Sequence, residues 1–207
     1  MRHLTDKKRT NKIITASVAW KAIYERVSLF NEMTGRAEKF QGNEMTQWGN
    51  DHEDIALKSF INEVNKAKVS INSRLESVTK EKLVPSKKFL VHKSLPIGAT
   101  PDAFLKSNPV EVKCPWTRLG EGKGGVYPII PEKYYYQMQI QMSVTNRPLC
   151  WFYVWTPRQT KLELVSYDQS FMDWYMPFAK EFLESVANDT KPKRWSKKPV
   201  YNYKEKL

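Results

Sequence analysis

Apolar residues recur at helical spacing through Ala19, Ala22, Ile23, Val27 and Phe30. That pattern predicts a helix capped by Thr15 or Ser17 and stopped at Gly35. A second helix is predicted from about Glu44 to Lys66, with Leu57, Phe60, Ile61 and Val64 as its apolar face. Four residues before Leu57 stands Glu53, so a carboxylate falls at the N-terminal end of a core-facing stripe. Burying an unpaired carboxylate is costly. This end therefore reaches solvent or meets a cation. The middle of the chain reads as strands: Lys88 to His92, Ala103 to Lys106 and Val110 to Cys114, with a turn at Pro96-Ile97-Gly98 and a hairpin at Ser107-Asn108-Pro109. In the third strand Val110, Val112 and Cys114 share one face, and Glu111 and Lys113 share the other. Trp116 to Pro131 is a glycine-rich loop holding Arg118 and Lys123. Pro131 starts a helix through Tyr134, Gln137, Gln139 and Gln141 to about Val144. Leu149 to Thr156 is almost unbroken apolar sequence, the mark of a strand covered on both faces. Lys161 to Ser166 is a further strand. A last helix carries Phe171, Trp174, Tyr175, Phe178, Phe182 and Val186, with a kink expected at Pro177. This order predicts an α/β domain with a central mixed β-sheet flanked by helices.

The length of 207 residues fits one domain, 1–207, with a basic arm over 1–12 and a basic tail over 189–207. With 13% aromatic residues, disorder is excluded. No apolar run approaches the ~18 residues of a membrane span. Two cysteines cannot build a four-thiolate zinc or iron–sulfur site, and without an export signal both are expected as thiols in an intracellular protein. Lys and Arg number 34 against 22 Asp and Glu, a net charge of +12. A domain this basic points to a polyanionic partner, nucleic acid above all.

The chemistry concentrates in Thr100-Pro101-Asp102 and Val110-Glu111-Val112-Lys113. Asp102 precedes one strand of the hairpin, and Glu111 and Lys113 share a face of the other. Pairing brings the three charges to one end of the sheet. Two carboxylates offer hard oxygen ligands for Mg²⁺, with Mn²⁺ as a substitute. A lysine beside a metal-bound water can orient it. Phosphodiester hydrolysis needs these parts.

Pro101-Asp102 followed by Glu111-Val112-Lys113 resembles the PD-(D/E)xK nuclease motif. Ile14-Thr15-Ala16-Ser17, Trp48-Gly49 with Glu53, Glu111-Val112-Lys113-Cys114-Pro115-Trp116 and Tyr136-Gln137-Met138-Gln139 follow in the order of the lambda exonuclease and YqaJ-type viral recombinase family. The resemblance covers roughly residues 12 to 160. It implies a restriction-endonuclease-like core and a Mg²⁺-dependent 5′→3′ exonuclease acting on double-stranded DNA ends. It also implies a single-strand annealing protein as partner, a ring-shaped homotrimer, and a phage, prophage or viral origin. By residue, it implies Glu53, Asp102, Glu111 and the Val112 carbonyl as metal ligands for a two-metal mechanism. Lys113 would position or activate the attacking water, and Gln139 with Gln137 would stand near the scissile phosphate. Ser17 matches a hydroxyl of the 5′-phosphate pocket. Where the family has an arginine seven residues earlier, this chain has Thr10, and Arg9 or Lys12 would substitute. Trp116 is expected to stack at the DNA end and Arg118 to contact phosphate. His52 reads as a neighbour of Glu53 and not a ligand, and Trp20, Trp48, Trp151 and Trp155 as core. The rival readings are an endonuclease or RNA-cleaving nuclease of the same fold, and a non-catalytic DNA-binding protein.

Overall fold

The computed structural model describes residues 13–38, 40–71, 82–86, 88–116 and 125–207, the side chains of 67–71 excepted. Arg9, Lys12, Arg118 and Lys123 lie outside the described residues.

The chain opens with β1 (Ile14–Thr15), a 3₁₀ turn (Ala16–Val18), α1 (Lys21–Tyr24) and α2 (Arg26–Thr34). The single helix expected here is in fact two, parted at Glu25 by a non-helical backbone (φ −130°, ψ 40°), and preceded by a strand. Thr15 flanks the 3₁₀ turn but makes no side-chain cap hydrogen bond. Gly35 ends α2 in the left-handed region at φ 76°, as the stop signal predicts.

Next come α3 (Glu44–Ile71), β2 (Leu83–Pro85), β3 (Leu90–Val91), β4 (Ile97–Ala99), β5 (Ala103–Leu105) and β6 (Asn108–Lys113). Helix α3 runs five residues past the expected end. The predicted turn at Pro96-Ile97-Gly98 is a correction: Ile97 to Ala99 is a fully buried strand. It is paired in parallel with β1 and antiparallel with β3. Gly98 serves close packing there, since a Cβ would come within 2.4 Å of the Phe89 ring. The hairpin turn falls one residue early, at Lys106 and Ser107, both at positive φ (49° and 66°). Two such residues give the primed turn that suits the twist of tight hairpins.

The chain closes with α4 (Glu132–Thr145), β7 (Leu149–Trp155), β8 (Thr160–Ser166), α5 (Gln169–Ala187) and a 3₁₀ turn (Tyr203–Lys206). Pro177 sits inside a continuous α5. The main sheet runs β2-β5-β6-β7-β8, antiparallel except for the central β6–β7 pair. No helix among the described residues is long and apolar enough to cross a membrane.

Alternation along β6 divides the core. Val110 and Val112 pack with Tyr153 against Ala56, Leu57, Phe60 and Val64 of α3. On the other face, Cys150, Phe152, Val154 and Val165 lie beneath α4 and α5 with their aromatic side chains. Glu111 points into that second layer, fully buried. A charged residue mid-strand in an apolar layer is tolerable only if donors meet it.

Candidate active site

Those donors come from α4. Gln137 Nε2 donates to Glu111 Oε1 at 2.7 Å, and Gln141 Nε2 donates to Oε2 at 2.5 Å. Lys113, two residues along the same strand face, ion-pairs with Oε1. Gln141 Oε1 accepts in turn from the buried Cys150 thiol at 3.6 Å. Asp102 stands across the hairpin just before β5. Its backbone N–H donates to Val110 O, and its Oδ2 accepts the Val112 N–H at 2.7 Å. Antiparallel register thus does what the spacing predicts, bringing Asp102, Glu111 and Lys113 to one end of the sheet.

A cavity of about 220 Å³ opens there, lined by Glu53, Asp102, Val112, Lys113, Cys114 and Tyr134 among others. Helix α3 delivers Glu53, half-buried, to its wall. The Lys113 ammonium lies 4.9 Å from the Tyr134 ring centre, a cation–π contact.

The electrostatics are those of crowded carboxylates. Burial and the neighbouring Glu111 charge push the Asp102 carboxyl well above its ordinary range, against the pull of Lys113. Burial alone would lower the Lys113 ammonium, but Glu111 and Asp102 outweigh it and hold the lysine above its ordinary range, fully charged at neutral pH. Burial and then Glu53 push the Cys114 thiol up to about 12. Cys114 is therefore a neutral thiol, a poor ligand beside these carboxylates.

A divalent cation fits this chemistry in part. The Glu53 and Asp102 carboxylates line the cavity beside the Lys113 ammonium, the Cys114 thiol and two tyrosines, and the negative charge crowded around Asp102 is what a cation would relieve. In the arrangement seen, however, Glu111 is turned onto Gln137, Gln141 and Lys113. No group of three or more His, Cys, Asp or Glu is poised around one point among the described residues.

The other expected residues are placed as follows. Gln139 is a correction: it faces away from Glu111, donating to Ser166 O at 2.9 Å and accepting the Asp168 N–H at 2.8 Å. Two residues advance a helix by ~200°, so Gln137 and Gln139 cannot share a face, whereas residues four apart do. The second glutamine at Glu111 is Gln141, which the sequence reading placed on the helix without a role. Its signal was the four-residue spacing from Gln137. His52 Nδ1 bonds the Trp48 carbonyl at 2.8 Å, and its ring stacks between Trp48 and Trp155, so it braces α3. Ser17 is exposed on the 3₁₀ turn, 3.4 Å from the Thr15 hydroxyl. Trp116 is half-buried three residues past Lys113.

Comparison with known proteins bears on the family and the fold. The model of the YqaJ-like viral recombinase domain family matches residues 7–148. No curated protein matches the chain. Among solved structures, the alkaline exonuclease LHK-Exo from Laribacter hongkongensis superposes with a TM-score of 0.64 at 21% identity, covering 88% of this chain and 91% of the other. The same enzyme in complex with dAMP gives 0.64 at 22% identity over the same shares. A phage-related exonuclease from Haemophilus somnus 129PT gives 0.57 at 14% identity, over 86% of this chain and 96% of the other. The shared fold is the PD-(D/E)xK core that the motif predicts.

Proposed function

Because the chain belongs to the YqaJ-like viral recombinase family, we propose that it is a metal-dependent deoxyribonuclease that degrades one strand from double-stranded DNA ends, 5′→3′. One observation carries the reading: Asp102, Glu111 and Lys113 stand together at the end of the sheet, beside a cavity walled by Glu53. The neighbours in fold are described as exonucleases, and one is described with dAMP, a deoxynucleoside monophosphate. Such a mononucleotide is what stepwise hydrolysis from an end would release.

In this reading Glu53, Asp102, Glu111 and the Val112 carbonyl hold Mg²⁺ or Mn²⁺. The metal, when bound, supplies an acidified water and charge stabilisation at the phosphate. The chain's own residues do the rest. Gln137 and Gln141 fix the Glu111 carboxylate against rotation. Lys113, kept protonated by its carboxylate neighbours and steadied over Tyr134, orients the water and offsets negative charge building on the phosphate. Trp116 and Ser17 are the proposed contacts to the DNA end, and Arg9, Lys12 and Arg118 the proposed phosphate contacts. A single-strand annealing protein is the proposed partner and a homotrimeric ring the proposed assembly.

The test is linear duplex DNA labelled at one 5′ or one 3′ end, with Mg²⁺ or EDTA, alongside Glu111→Gln and Lys113→Ala. Loss of the 5′ label first, only with metal and only in the wild type, is the expected result. A covalently closed circle should survive, since an exonuclease needs an end. Duplex binding without any cleavage would sink the catalytic reading in favour of a binding protein.

A further inference from the structure

The basic tail is not a free arm. Between Lys191 and Leu207 it carries Lys191, Lys193, Arg194, Lys197, Lys198, Lys204 and Lys206 against a single acid, Glu205. A stretch so charged repels itself and would ordinarily stay loose. Here aromatic anchors stitch it to the body. Trp195 Nε1 donates to Ile23 O at 2.9 Å, and the Arg26 guanidinium lies 4.2 Å over the Trp195 ring. Tyr201 donates to Asp168 at 2.6 Å, and Tyr203 donates to Ile130 O at 3.0 Å. The seven cations are all exposed, and none forms an ion pair among the described residues. Glu205 accepts instead from Asn202. Arg194 and Lys198 rim a cavity of about 390 Å³ between this strap and the α1–α2 break.

The strap also leads to the site. Tyr203 holds Ile130, and Tyr24, whose ring Lys198 faces, donates to Glu132 at 2.6 Å. Ile130 and Glu132 flank Pro131 at the start of α4, one turn before Tyr134 and Gln137 meet Lys113 and Glu111.

We propose that this anchored strap is a duplex-DNA contact surface, its fixed cations holding the phosphate backbone that leads to the candidate active site. The choice of DNA over another polyanion rests on the function proposed above and on this continuity with the site. Holding unpaired like charges in place is unfavourable by itself, and a polyanion across them removes the repulsion.

The experiment measures binding of the full-length protein to a blunt duplex in EDTA, by fluorescence anisotropy across a salt series. One variant combines Lys193→Gln, Arg194→Gln, Lys197→Gln and Lys198→Gln, with all anchors kept. A charge-matched control combines Lys58→Gln, Lys66→Gln, Lys82→Gln and Lys93→Gln, also exposed. The strap variant is expected to bind at least about tenfold more weakly near ~0.1 M salt, and its log–log salt slope should flatten by about 3 to 4. The control should keep most of both, and both variants should melt as the wild type does. An unchanged strap-variant slope would overturn the proposal. Equal losses in both variants would also overturn it, since net charge would then suffice. So would lost binding to phosphatidylserine vesicles with DNA binding intact. Cleavage in Mg²⁺ is scored separately. A protein that binds DNA through the strap but cleaves nothing ends the nuclease reading and keeps this one, and strap-independent binding with cleavage does the reverse.

Discussion

Glu111 lies buried inside an apolar layer, and three donors hold its carboxyl group there. Removing a donor from a buried charge leaves it short of a partner, which costs about 1–3 kcal/mol or more. Gln141→Leu should therefore destabilise the fold by about that much in chemical denaturation. It should also weaken Mn²⁺ binding read by calorimetry, because the carboxylate loses its orientation. Gln139→Leu is the informative contrast. It breaks two hydrogen bonds at the β8–α5 junction and should cost a comparable ~1–3 kcal/mol. Its turnover per folded molecule should match the wild type. Equal rate losses in Gln137→Leu and Gln139→Leu would refute the face assignment. Lys113→Ala should lower the cleavage rate per folded molecule by roughly 10²- to 10³-fold, as for loss of a positioned electrostatic group, and as a donor to Glu111 its loss should also cost stability.

Two elements carry their own tests. Asp168 caps α5 by accepting the Phe171 N–H at 3.2 Å, and it also accepts from Tyr135 and Tyr201. Burial would raise its carboxyl, but the Tyr201, Tyr135 and Phe171 donors outweigh that and hold it below the ordinary carboxylate range. A depressed carboxylate stabilises the fold fully above its unfolded value, about 3.9. That contribution is lost as pH falls through the folded value. Asp168→Asn should thus lower the melting temperature at neutral pH, and the gap to wild type should close as pH falls below about 4. A gap independent of pH would remove the charge from the explanation. In β4, Gly98→Ala sets a methyl against the exposed Phe89 ring, which can swing aside, and 3.0 Å from Leu90 O, so it should cost no more than about 1 kcal/mol. Urea denaturation measures it.

For the whole molecule, the expectation is an enzyme built around an end. EDTA should abolish cleavage while leaving duplex binding, since the proposed phosphate contacts are lysines and arginines and not the proposed metal ligands. Processive degradation needs enclosure or a strong electrostatic track. Light scattering of the 24.3 kDa chain decides between them. A trimer supports the ring, and a processive monomer leaves the work to the basic strap.

What the sequence determined by itself is local. The hairpin, the alternation of β6, the Pro131 helix start and the buried β7 follow from periods of two and 3.6, from turn residues and from apolar runs. With the motif spacing they place Asp102, Glu111 and Lys113 together before any coordinates exist. What only the tertiary structure decided is which neighbour each element meets. Ile97 to Ala99 is too short and too close to Pro96 to read as a strand, and it becomes one because β1 and β3 close on it. Val84 and Pro85 pair only because β5 offers an edge. Spacing alone says that Gln137 and Gln141 share a face and Gln139 does not. It does not say which face meets Glu111, because every residue from Met138 to Met142 is buried. From its sequence the tail reads equally well as a DNA-tracking arm or a subunit contact. Its anchors are the carbonyls of Ile23 and Ile130 and the Asp168 carboxylate, groups far apart in sequence that only the folded chain brings within hydrogen-bond reach.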